Sequence, residues 1–518
     1  MAAKRSTKSG STKSRSTQSG SAKRSPAKTG SAKGASAKSG AAQATAGKST
    51  AVKSGAAKSA SKPRATSGGS ALRVIMTGEP GFARAFEALV KRRDSDREEV
   101  ERAARKILER VRDGGDEELL ACIRKYDNAR LDVVEVTKAE WDEGVNAVDP
   151  ADRAALGKAA MRIRDFHRKR VPASWEMREE GGATMGVRVR PLQRVGLYVP
   201  GGKASYPSSV IMNAVPASVV EVPEILMATP PQPDGTLRPE VLMAARLAGV
   251  HRVFKMGGAH AVAAFAYGTA SVPAVDKITG PGNQWVAAAK RLVFGHVGID
   301  AEAGPTEVVV VADRTATPAW VAADLLSQAE HDEQAQSILI TPVKSLVPKV
   351  QEQIAKQLAG LARSAVIRAS LAKHGAIVVT RDLDDAIELS NRYAPEHLVL
   401  AVDDPDAALK KVTNAGSIFL GHYAPVAVGD YLAGPNHVLP TGGTARFFSP
   451  LGVEDFLKRS SFVRFEPPKL RELGLDLIRL AELEGLTAHA RSVEMRLLKI
   501  RRERREREAA RESGGETE

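Results

Sequence analysis

The spacing of apolar residues divides the chain into a first stretch without periodicity and a long body in which helical and strand patterns alternate. Residues 1–70 consist mainly of Ser, Lys, Ala, Gly and Thr. A segment with almost no large apolar side chains cannot offset the entropy lost on ordering, so we predict a disordered tail. The body opens with helical spacing, because the apolar residues between Val100 and Val111 recur every three or four positions before Gly114 and Gly115. A further helix is predicted over 151–169.

From residue 187 the pattern changes to short apolar runs, each followed by a loop and a helical stretch. The predicted strands lie at 195–199, 224–228, 251–256, 307–312, 338–341, 376–380, 398–402 and 417–420. Strands that alternate with helices form parallel sheets covered on both faces, with ligands at the carboxyl ends of the strands. The pattern therefore predicts an α/β fold with two Rossmann-like parallel-sheet domains, a small helical C-terminal region and a disordered N-terminal tail.

The same changes of pattern suggest domain boundaries. Residues 71–185 are predicted to be the N-terminal helical part of the first α/β domain, and residues 186–303 to be its Rossmann-like sheet. Residues 304–452 are predicted to form the second Rossmann-like domain. Residues 453–518 are predicted to be a helical region whose last turns, rich in Arg and Glu, are typical of a solvated helix face.

Charge separates the tail from the body. Residues 1–70 contain 11 Lys and 4 Arg and no acidic residue, which accounts for the whole net charge of +15. Cys122 is the only cysteine, so the chain can form neither an intramolecular disulfide nor a cysteine-based metal cluster. No apolar run approaches the ~18 residues of a transmembrane helix, and no apolar core of a signal peptide is present. We therefore expect a cytoplasmic protein with no membrane partner.

Two side chains that can transfer protons, Glu396 and His397, stand side by side in the stretch 393–398. A helix is predicted over 383–391, and Pro395 would stop it before the buried strand at 398–402. The pair is therefore expected on a short connection between helix and strand, a common place for catalytic groups. An isolated Glu-His pair beside a turn is more often an ordinary surface feature, so its meaning depends on the residues around it.

Other polar residues interrupt apolar stretches of the body. Gln328 and His331 end the helix predicted to begin at Thr317, and residues three apart share one helix face. Asp430 lies in a loop rich in Gly and Pro, and His489 lies near the C-terminus. A lone histidine is most often an interior residue with satisfied hydrogen bonds. Spacing alone does not join these residues into one site.

The glycine loops give only a weak indication of a bound dinucleotide. Neither Gly201-Gly202 nor Gly280-Pro281-Gly282 has the G-x-G-x-x-G spacing that opens the first helix of a Rossmann domain. Such loops are equally typical of ordinary turns. The sequence contains no P-loop and no G-x-S-x-G motif, so it does not indicate those two classes of enzyme.

Several blocks of the body, taken together and in order, resemble one known family. They are 195–202, 280–283 (Gly-Pro-Gly-Asn), 303–307 (Ala-Gly-Pro-Thr-Glu), 324–331 (Asp-Leu-Leu-Ser-Gln-Ala-Glu-His), 393–398, 414–417 (Asn-Ala-Gly-Ser) and 429–442. They resemble histidinol dehydrogenase, and the resemblance runs from about residue 75 to residue 500. The tail at 1–70 has no counterpart in the common core of that family.

The resemblance implies two successive oxidations of one substrate. Histidinol dehydrogenases convert L-histidinol through L-histidinaldehyde to L-histidine, the last steps of histidine biosynthesis, with two NAD and one zinc ion per subunit. Carried over by motif, the zinc ligands would be Gln328, His331, Asp430 and His489. Two imidazoles and two oxygens suit this borderline cation, which would position the substrate rather than supply a hydroxide.

The resemblance also assigns substrate contacts to Thr306, His397 and Glu484, together with the metal ligands. Removal of hydride from a carbinol carbon requires the hydroxyl proton to be taken at the same time. A neutral imidazole, with an ordinary pKa of about 6.5, is suited to that step near pH 7. His397 would therefore act as the base in both oxidations, and Glu396 would activate the water that hydrates the aldehyde. No cysteine is required, which agrees with the position of Cys122 outside every matching block.

The NAD contacts of the family correspond to Tyr198, His260 and Asn283. Two residues depart from the family pattern. Thr306 stands where serine is usual and keeps the hydroxyl group. His260 stands where glutamine is usual, so that a ring replaces an amide on the nucleotide side.

Partners and alternative functions follow from the same features. The family forms homodimers that exchange structural elements, so we expect a homodimer. One alternative keeps the fold but changes the substrate to another small polar alcohol, and the presence of Glu484 and His489 favours histidinol over it. Another alternative is a nucleic-acid-binding protein with an inactive body. The presence of Glu396, His397 and all four metal-ligand positions argues against this alternative. The basic tail could still contact nucleic acid non-specifically as a side function.

Overall fold

The strands of the body form two parallel sheets and one antiparallel sheet. The computed structural model describes residues 72–91, 97–201, 205–302 and 304–514, so the predicted tail lies outside the described residues. In chain order the strands are β1 (Arg73–Met76), β2 (Trp175–Glu179), β3 (Ala183–Pro191), β4 (Arg194–Tyr198), β5 (Glu224–Thr229), β6 (Arg252–Lys255), β7 (Lys277–Thr279), β8 (Gly298–Ile299), β9 (Glu307–Ala312), β10 (Gln336–Thr341), β11 (Ala376–Val379), β12 (His397–Ala401), β13 (Ser417–Leu420) and β14 (Leu457–Phe465).

Helices form most of the connections between these strands. In chain order they are α1 (Phe82–Val90), α2 (Arg97–Cys122), α3 (Lys138–Ala147), α4 (Pro150–Arg168), α5 (Pro207–Val219), α6 (Pro239–Ala248), α7 (Gly258–Tyr267), α8 (Gln284–Val293), α9 (Pro318–Ala329), α10 (Leu346–Leu358), α11 (Ser364–His374), α12 (Leu383–Tyr393), α13 (Pro405–Leu409), α14 (Val426–Tyr431), α15 (Pro467–Leu483) and α16 (Thr487–Gly514). Helix α2 is broken at Gly115, whose backbone is not helical, as the glycine pair at 114–115 predicts. Among the described residues, none of these helices is both long enough and apolar enough to cross a membrane.

The five-stranded sheet lies in the region predicted to be the first Rossmann-like domain. Its strands are all parallel and lie in the order β6-β5-β4-β7-β8. Helices α5 and α6 cover one face and α7 and α8 the other, with buried side chains such as Met212 and Phe265 between the layers. The chain runs outward from β4 to β6 and then returns to β7 on the other side of β4. Such a reversal opens a crevice at the carboxyl ends of the two strands where it occurs, here β4 and β7.

The six-stranded sheet lies mainly in the region predicted to be the second Rossmann-like domain. Its strands are all parallel and lie in the order β1-β11-β10-β9-β12-β13. Every residue of β9 and β10 is buried, as expected for strands with helices on both faces. Helices α9, α10 and α11 cover one face, and α1 and α12 cover the other.

Strand β1 departs from the prediction. The sequence pattern places residues 71–185 entirely in the first α/β domain, as its helical part. Instead β1 pairs with β11 at the edge of the six-stranded sheet, from Arg73 opposite Ala376 onward. Helix α1 packs Phe86 and Leu89 against the same sheet. A four-residue strand is too short for its own pattern to indicate a partner so far along the chain.

Strand β14 is the second departure, because residues 453–518 are predicted to be helical. Strand β2 is a third, because it lies within residues 71–185, which are also predicted to be helical. Strand β14 pairs antiparallel with β3, which in turn pairs antiparallel with β2. Most side chains of β14 are exposed, so it lacks the alternation of apolar and polar residues by which a strand is recognised. The helical prediction is confirmed beyond this strand, where α15 and α16 pack on each other.

Candidate active site

Glu396 and His397 lie where helix α12 leads into strand β12. Helix α12 ends at Tyr393, after which Ala394 has a left-handed backbone with φ 55° and Pro395 follows. Strand β12 begins with His397, so only Glu396 lies on the connection that is predicted to hold both residues. Both side chains are buried. Because the connection is short and both flanking elements pack in the core, the pair has little freedom to move.

Thr306, just before β9, links Glu396 to Gln328 through hydrogen bonds. Thr306 Oγ1 donates to Glu396 Oε2 at 2.5 Å, and the backbone N–H of Glu307 donates to the same oxygen at 2.8 Å. Since the threonine hydroxyl has only one proton, Oγ1 accepts the hydrogen bond that Gln328 Nε2 donates. That bond fixes the orientation of the Gln328 amide and makes the amide oxygen the atom that could bind a cation.

The ring of His397 presents one nitrogen as a proton acceptor. Its Nδ1 lies 3.1 Å from the carbonyl oxygen of Glu307, which can only accept a hydrogen bond. The neutral ring therefore carries its proton on Nδ1 and leaves Nε2 unprotonated. Nε2 is buried, and among the described residues no group forms a hydrogen bond with it. A buried nitrogen in that condition is suited to receive a proton from a ligand.

Carboxylates on two sides of the ring make it more basic. Burial disfavours the charged imidazolium, but Glu396 and Asp430 stabilise it more strongly and raise the pKa of His397 to about 10. Glu396 Oε2 lies 3.4 Å from Nδ1, and Asp430 Oδ1 lies 3.7 Å from Nε2. Burial acts to raise the pKa of Asp430, but His397, with His437 and His331 nearby, holds it below its usual range. The charges of His397 and Asp430 therefore stabilise each other.

The Glu396–His397 pair lies at the amino ends of parallel strands, whereas the sequence predicts ligand sites at the carboxyl ends. His397 opens β12, Glu307 opens the neighbouring β9, and the two strands pair from His397 opposite Val308 onward. The segment 300–306 leads from β8, the edge strand of the five-stranded sheet, to this end of β9. The prediction therefore does not hold for the six-stranded sheet. The local pattern could not show that a connection between sheets would bring Thr306 to this end.

Glu484 and His489 lie apart from the other predicted site residues. Glu484 directly follows α15, His489 lies in the first turn of α16, and both are exposed. The described residues contain no group of three or more His, Cys, Asp and Glu side chains arranged to hold a metal ion. Within one chain, His489 is therefore not brought together with His331 and Asp430.

The donors that one chain does supply fit part of a zinc site. Gln328 provides an amide oxygen and Asp430 a carboxylate that interacts electrostatically with the imidazole of His331. Oxygen and imidazole ligands are acceptable to zinc, and a structural or substrate-binding site usually needs a fourth donor. His331 lies just beyond the end of α9, and its side chain is exposed.

Two of the predicted NAD contacts lie at the crevice between β4 and β7. Tyr198 ends β4, and its hydroxyl accepts a hydrogen bond from the backbone N–H of Gly258 at 3.1 Å. Burial raises the pKa of this phenol. Asn283 caps α8, because its Oδ1 accepts hydrogen bonds from two backbone N–H groups of the first turn. Gly202, in the other glycine loop, lies outside the described residues.

His260 is enclosed rather than open to the crevice. Its Nε2 lies 2.8 Å from Asp127 Oδ2, and the same carboxylate oxygen accepts the backbone N–H of Gly257 at 2.9 Å. Only 1% of the His260 residue surface is exposed. Asp127 is not predicted from the sequence, because it stands 133 positions from its histidine partner and belongs to no motif.

Comparison with known proteins identifies the family. The family model for histidinol dehydrogenase matches residues 90–497. The chain belongs to the histidinol dehydrogenase family. A histidinol dehydrogenase of Syntrophotalea carbinolica is 53% identical over 428 residues, which cover 82% of this chain and 99% of that protein. Another, of Geobacter sulfurreducens, is 53% identical over 429 residues, covering 82% of this chain and 100% of that protein.

A solved structure of the family has the same fold. Histidinol dehydrogenase of Elizabethkingia anophelis is 33% identical, with a TM-score of 0.79 over 83% of this chain and 99% of that one. The predicted α/β fold class and the resemblance stated from the sequence are both confirmed. The chain is accordingly an oxidoreductase of histidine biosynthesis. The tail at 1–70 lies outside the matched range.

Proposed function

We propose that the chain oxidises L-histidinol through L-histidinaldehyde to L-histidine in two successive NAD-linked steps. Membership of the histidinol dehydrogenase family supports the substrate. The observation that carries the chemistry is Nε2 of His397, a buried proton acceptor with no hydrogen-bond donor among the described residues. An alcohol hydroxyl placed against this nitrogen would supply the donor.

In the first oxidation, His397 takes the hydroxyl proton while hydride leaves the carbinol carbon for the nicotinamide ring. The hydrogen bond from Nδ1 to the Glu307 carbonyl holds the ring in the orientation that this transfer needs. The nearby carboxylates of Glu396 and Asp430 stabilise the imidazolium that forms. Positioned general bases typically contribute about 10² to 10⁴ in rate.

In the second oxidation, the aldehyde must first become a hydrate, because only the hydrate carries a hydrogen that can leave as hydride. Glu396 is placed to take a proton from the attacking water. Two donors, Thr306 Oγ1 and the N–H of Glu307, hold its carboxylate in one orientation. His397, protonated in the first oxidation, gives that proton to the aldehyde oxygen as the water adds. The ring is then neutral again and takes the proton of the hydrate hydroxyl as the second hydride leaves for a second NAD.

Gln328, His331 and Asp430 would hold zinc, with His489 as the fourth ligand. When bound, the ion supplies a positive charge that anchors the nitrogen atoms of the substrate and offsets the negative charge of Asp430. That carboxylate helps to raise the pKa of His397 to about 10, at which the ring would be charged near pH 7. With zinc bound to Asp430, this pKa would be lower and Nε2 would be able to accept the proton. The residues of the chain thus bind, orient and deprotonate the substrate at one place.

Because His489 does not reach the other ligands within one chain, we propose that it comes from a second copy in a homodimer. Helices α15 and α16 leave Leu475, Leu480 and Leu483 exposed to 67%, 60% and 70%. An apolar helix surface of this kind is typical of an interface. Exchange of the two helices between subunits would cover the leucines and bring Glu484 and His489 to the partner's site.

NAD is proposed to bind at the crevice between β4 and β7, near Tyr198 and Asn283. Ligands of open parallel sheets bind where the strand order reverses, and both residues follow or end strands at that point. His260 would act from behind this surface, because its ring is enclosed against Asp127 and supports the turn at Gly257.

The function is tested by product analysis. Purified protein loaded with zinc is incubated with L-histidinol and NAD, and L-histidine is measured by chromatography. Other small polar alcohols serve as controls. We expect L-histidine from L-histidinol and much slower reduction of NAD with the other alcohols. Faster turnover of another alcohol, or reduced NAD without L-histidine, would contradict the proposal.

A further inference from the structure

A buried ion pair lies beside the glycine loop at residue 280, and the roles proposed above do not include it. Lys290 belongs to α8 and Asp300 follows β8, and their side chains are only 2% and 7% exposed. Charged side chains are rarely buried unless each is paired, because the loss of hydration is costly. Here the two charges pair with each other and also with the backbone of a single residue, Gly280.

The three residues form a closed set of hydrogen bonds. Lys290 Nζ donates to the carbonyl oxygen of Gly280 at 2.9 Å and also to Asp300 Oδ1. The N–H of Gly280 donates to the other carboxylate oxygen, Asp300 Oδ2, at 2.7 Å. Both backbone polar groups of Gly280 are therefore held by side chains from two different elements. We refer to Lys290 and Asp300 as the clamp.

Gly280 occupies a position that only glycine can take. Its φ is +114°, and a Cβ atom there would lie 2.0 Å from the carbonyl oxygen of Tyr198. Glycine lacks the steric restraint that a side chain gives the backbone, so the loop does not fix its own conformation. The clamp supplies that restraint where the loop touches the end of β4, at the crevice between β4 and β7.

The clamp also reaches towards the proton-transfer groups. Asp300 opens the segment 300–306, which leads to Thr306 and its hydrogen bond with Glu396. The neighbour of Lys290 on α8, Arg291, pairs with Glu302 of the same segment. Helix α8 thus holds this segment at two points, and α8 itself begins next to Asn283.

We propose that Lys290 and Asp300 are positioning residues. They would fix the conformation of the Gly280 loop for NAD binding and hold this loop at a constant position relative to the segment that carries Thr306. This inference rests on the proposed binding of NAD at the crevice between β4 and β7. A purely structural ion pair would contribute to stability alone. A positioning pair must also affect the NAD-dependent kinetics.

The test uses the full-length, zinc-loaded protein and the variants Lys290→Met and Asp300→Asn. For each, KM for NAD is measured at saturating L-histidinol, KM for L-histidinol at saturating NAD, and the melting temperature in parallel. We expect KM for NAD to rise by about tenfold or more, with KM for L-histidinol changed by no more than about twofold. Because the two residues act through one loop, the double variant should be no worse than the worse single variant.

Lys277→Met is the matched control. Lys277 Nζ donates to the carbonyl oxygen of Asp455 at 2.7 Å and lies 3.4 Å from the Asp455 carboxylate, so the variant removes a similar set of contacts without touching Gly280. Its KM for NAD should not change. If the clamp variants lose melting temperature but keep the wild-type KM for NAD, the proposal is wrong. Asp300→Asn, which keeps the size of the side chain, decides by the same criterion if Lys290→Met does not fold.

The outcomes separate this inference from the proposed function. A wild-type protein that reduces NAD normally, with clamp variants that do the same, overturns the clamp alone. A wild-type protein that does not reduce NAD with L-histidinol overturns both.

Discussion

Single protons determine the roles of Glu396 and His397. Thr306 donates its only hydroxyl hydrogen in a hydrogen bond to Glu396. The bond fixes the orientation of the carboxylate, which remains able to take a proton from water. His397 uses Nδ1 against a backbone carbonyl, so proton transfer falls to Nε2. The two residues are adjacent in sequence, yet in the proposed reaction they would present different atoms to different steps. Their substitution should therefore separate the two oxidations.

We predict that Glu396→Gln slows the oxidation of L-histidinaldehyde far more than that of L-histidinol. Glutamine keeps the shape and can still accept the hydrogen bond from Thr306, but it cannot take a proton from water. His397→Asn should slow both steps by about 10² to 10⁴. The two half-reactions are followed separately by NADH absorbance with each substrate. Equal losses in both half-reactions of Glu396→Gln would show that its role is misassigned.

His167, on α4, should make the fold sensitive to acid. Burial lowers its pKa from 6.5 to about 4, and among the described residues neither ring nitrogen forms a hydrogen bond. The unfolded chain therefore binds a proton below pH 6.5 that the folded chain does not, so stability falls as the pH drops from 6.5 towards 4. The difference corresponds to at most about 3 kcal/mol.

His167→Leu tests this directly, because leucine removes the titrating group and keeps an apolar side chain in the core. Urea midpoints of wild type and variant are compared at pH 7 and pH 4.5. We predict that the variant loses less stability on acidification than the wild type. The same loss in both proteins would exclude His167 as the source of the acid sensitivity.

At the level of residues, the sequence could identify the Glu396–His397 pair but not the hydrogen bonds that the two side chains form. The Glu396–His397 pair stands out because two proton-transferring groups follow a helix-stopping proline. Its partner Thr306 lies 90 positions away, and Thr306 lies 22 positions from Gln328, so no local spacing could join them. The family resemblance identified these residues as site candidates, and the structure shows the contacts between them.

At the level of elements, strands with strong patterns were predicted well and weakly patterned ones were missed. The buried runs at β9 and β12 are continuous apolar stretches that agree with the prediction within one residue at each end. Strand β14 has mostly exposed side chains, and β1 has only four residues. Neither carries a periodic signal strong enough to define its sheet, because pairing with distant strands decided its conformation.

The N-terminal tail is the segment whose removal should matter least. We predict that a chain starting near residue 70 keeps its activity and melting temperature, because the family match begins at residue 90 and the first strand at Arg73. Activity assays and thermal melts of the full-length and shortened proteins test this. A lower melting temperature in the shortened protein would show that the tail contributes to the fold.

A salt series decides whether the tail binds nucleic acid. The tail has 15 basic residues and no acidic ones, so any binding to duplex DNA should weaken with salt at about −0.9 in log–log slope per phosphate neutralised. No base specificity is expected, and unrelated duplexes should bind equally. Equal binding by full-length and shortened proteins would rule out the tail as the binding segment.

At the level of the whole molecule, the described residues of one chain do not bring the four proposed metal ligands together. His331 and Asp430 lie in the body, whereas His489 lies on a helical pair that exposes Leu475, Leu480 and Leu483. Association of two chains would bring His489 to the other proposed ligands and would also cover the exposed leucines. In a twofold dimer each subunit would contribute the same helices to the site of the other.

Mixing two inactive variants tests this exchange. We predict that His397→Asn and His489→Ala are each inactive alone, and that dimers re-formed from an equal mixture regain about one quarter of wild-type activity. Half of the random dimers would be mixed, and each would contain one site with both histidines intact. If His489 serves its own chain, every site in the mixture lacks one histidine and no activity returns.

The central claim is that one site carries out both oxidations of L-histidinol, and the amount of NADH formed per substrate tests it most directly. Zinc-loaded protein is mixed with a limiting, known amount of L-histidinol and excess NAD, and the reaction is followed to completion at 340 nm. The arrangement of Glu396 and His397 predicts two NADH for each L-histidinol consumed, with L-histidine as the product. One NADH per L-histidinol, with the aldehyde as the end product, would contradict it.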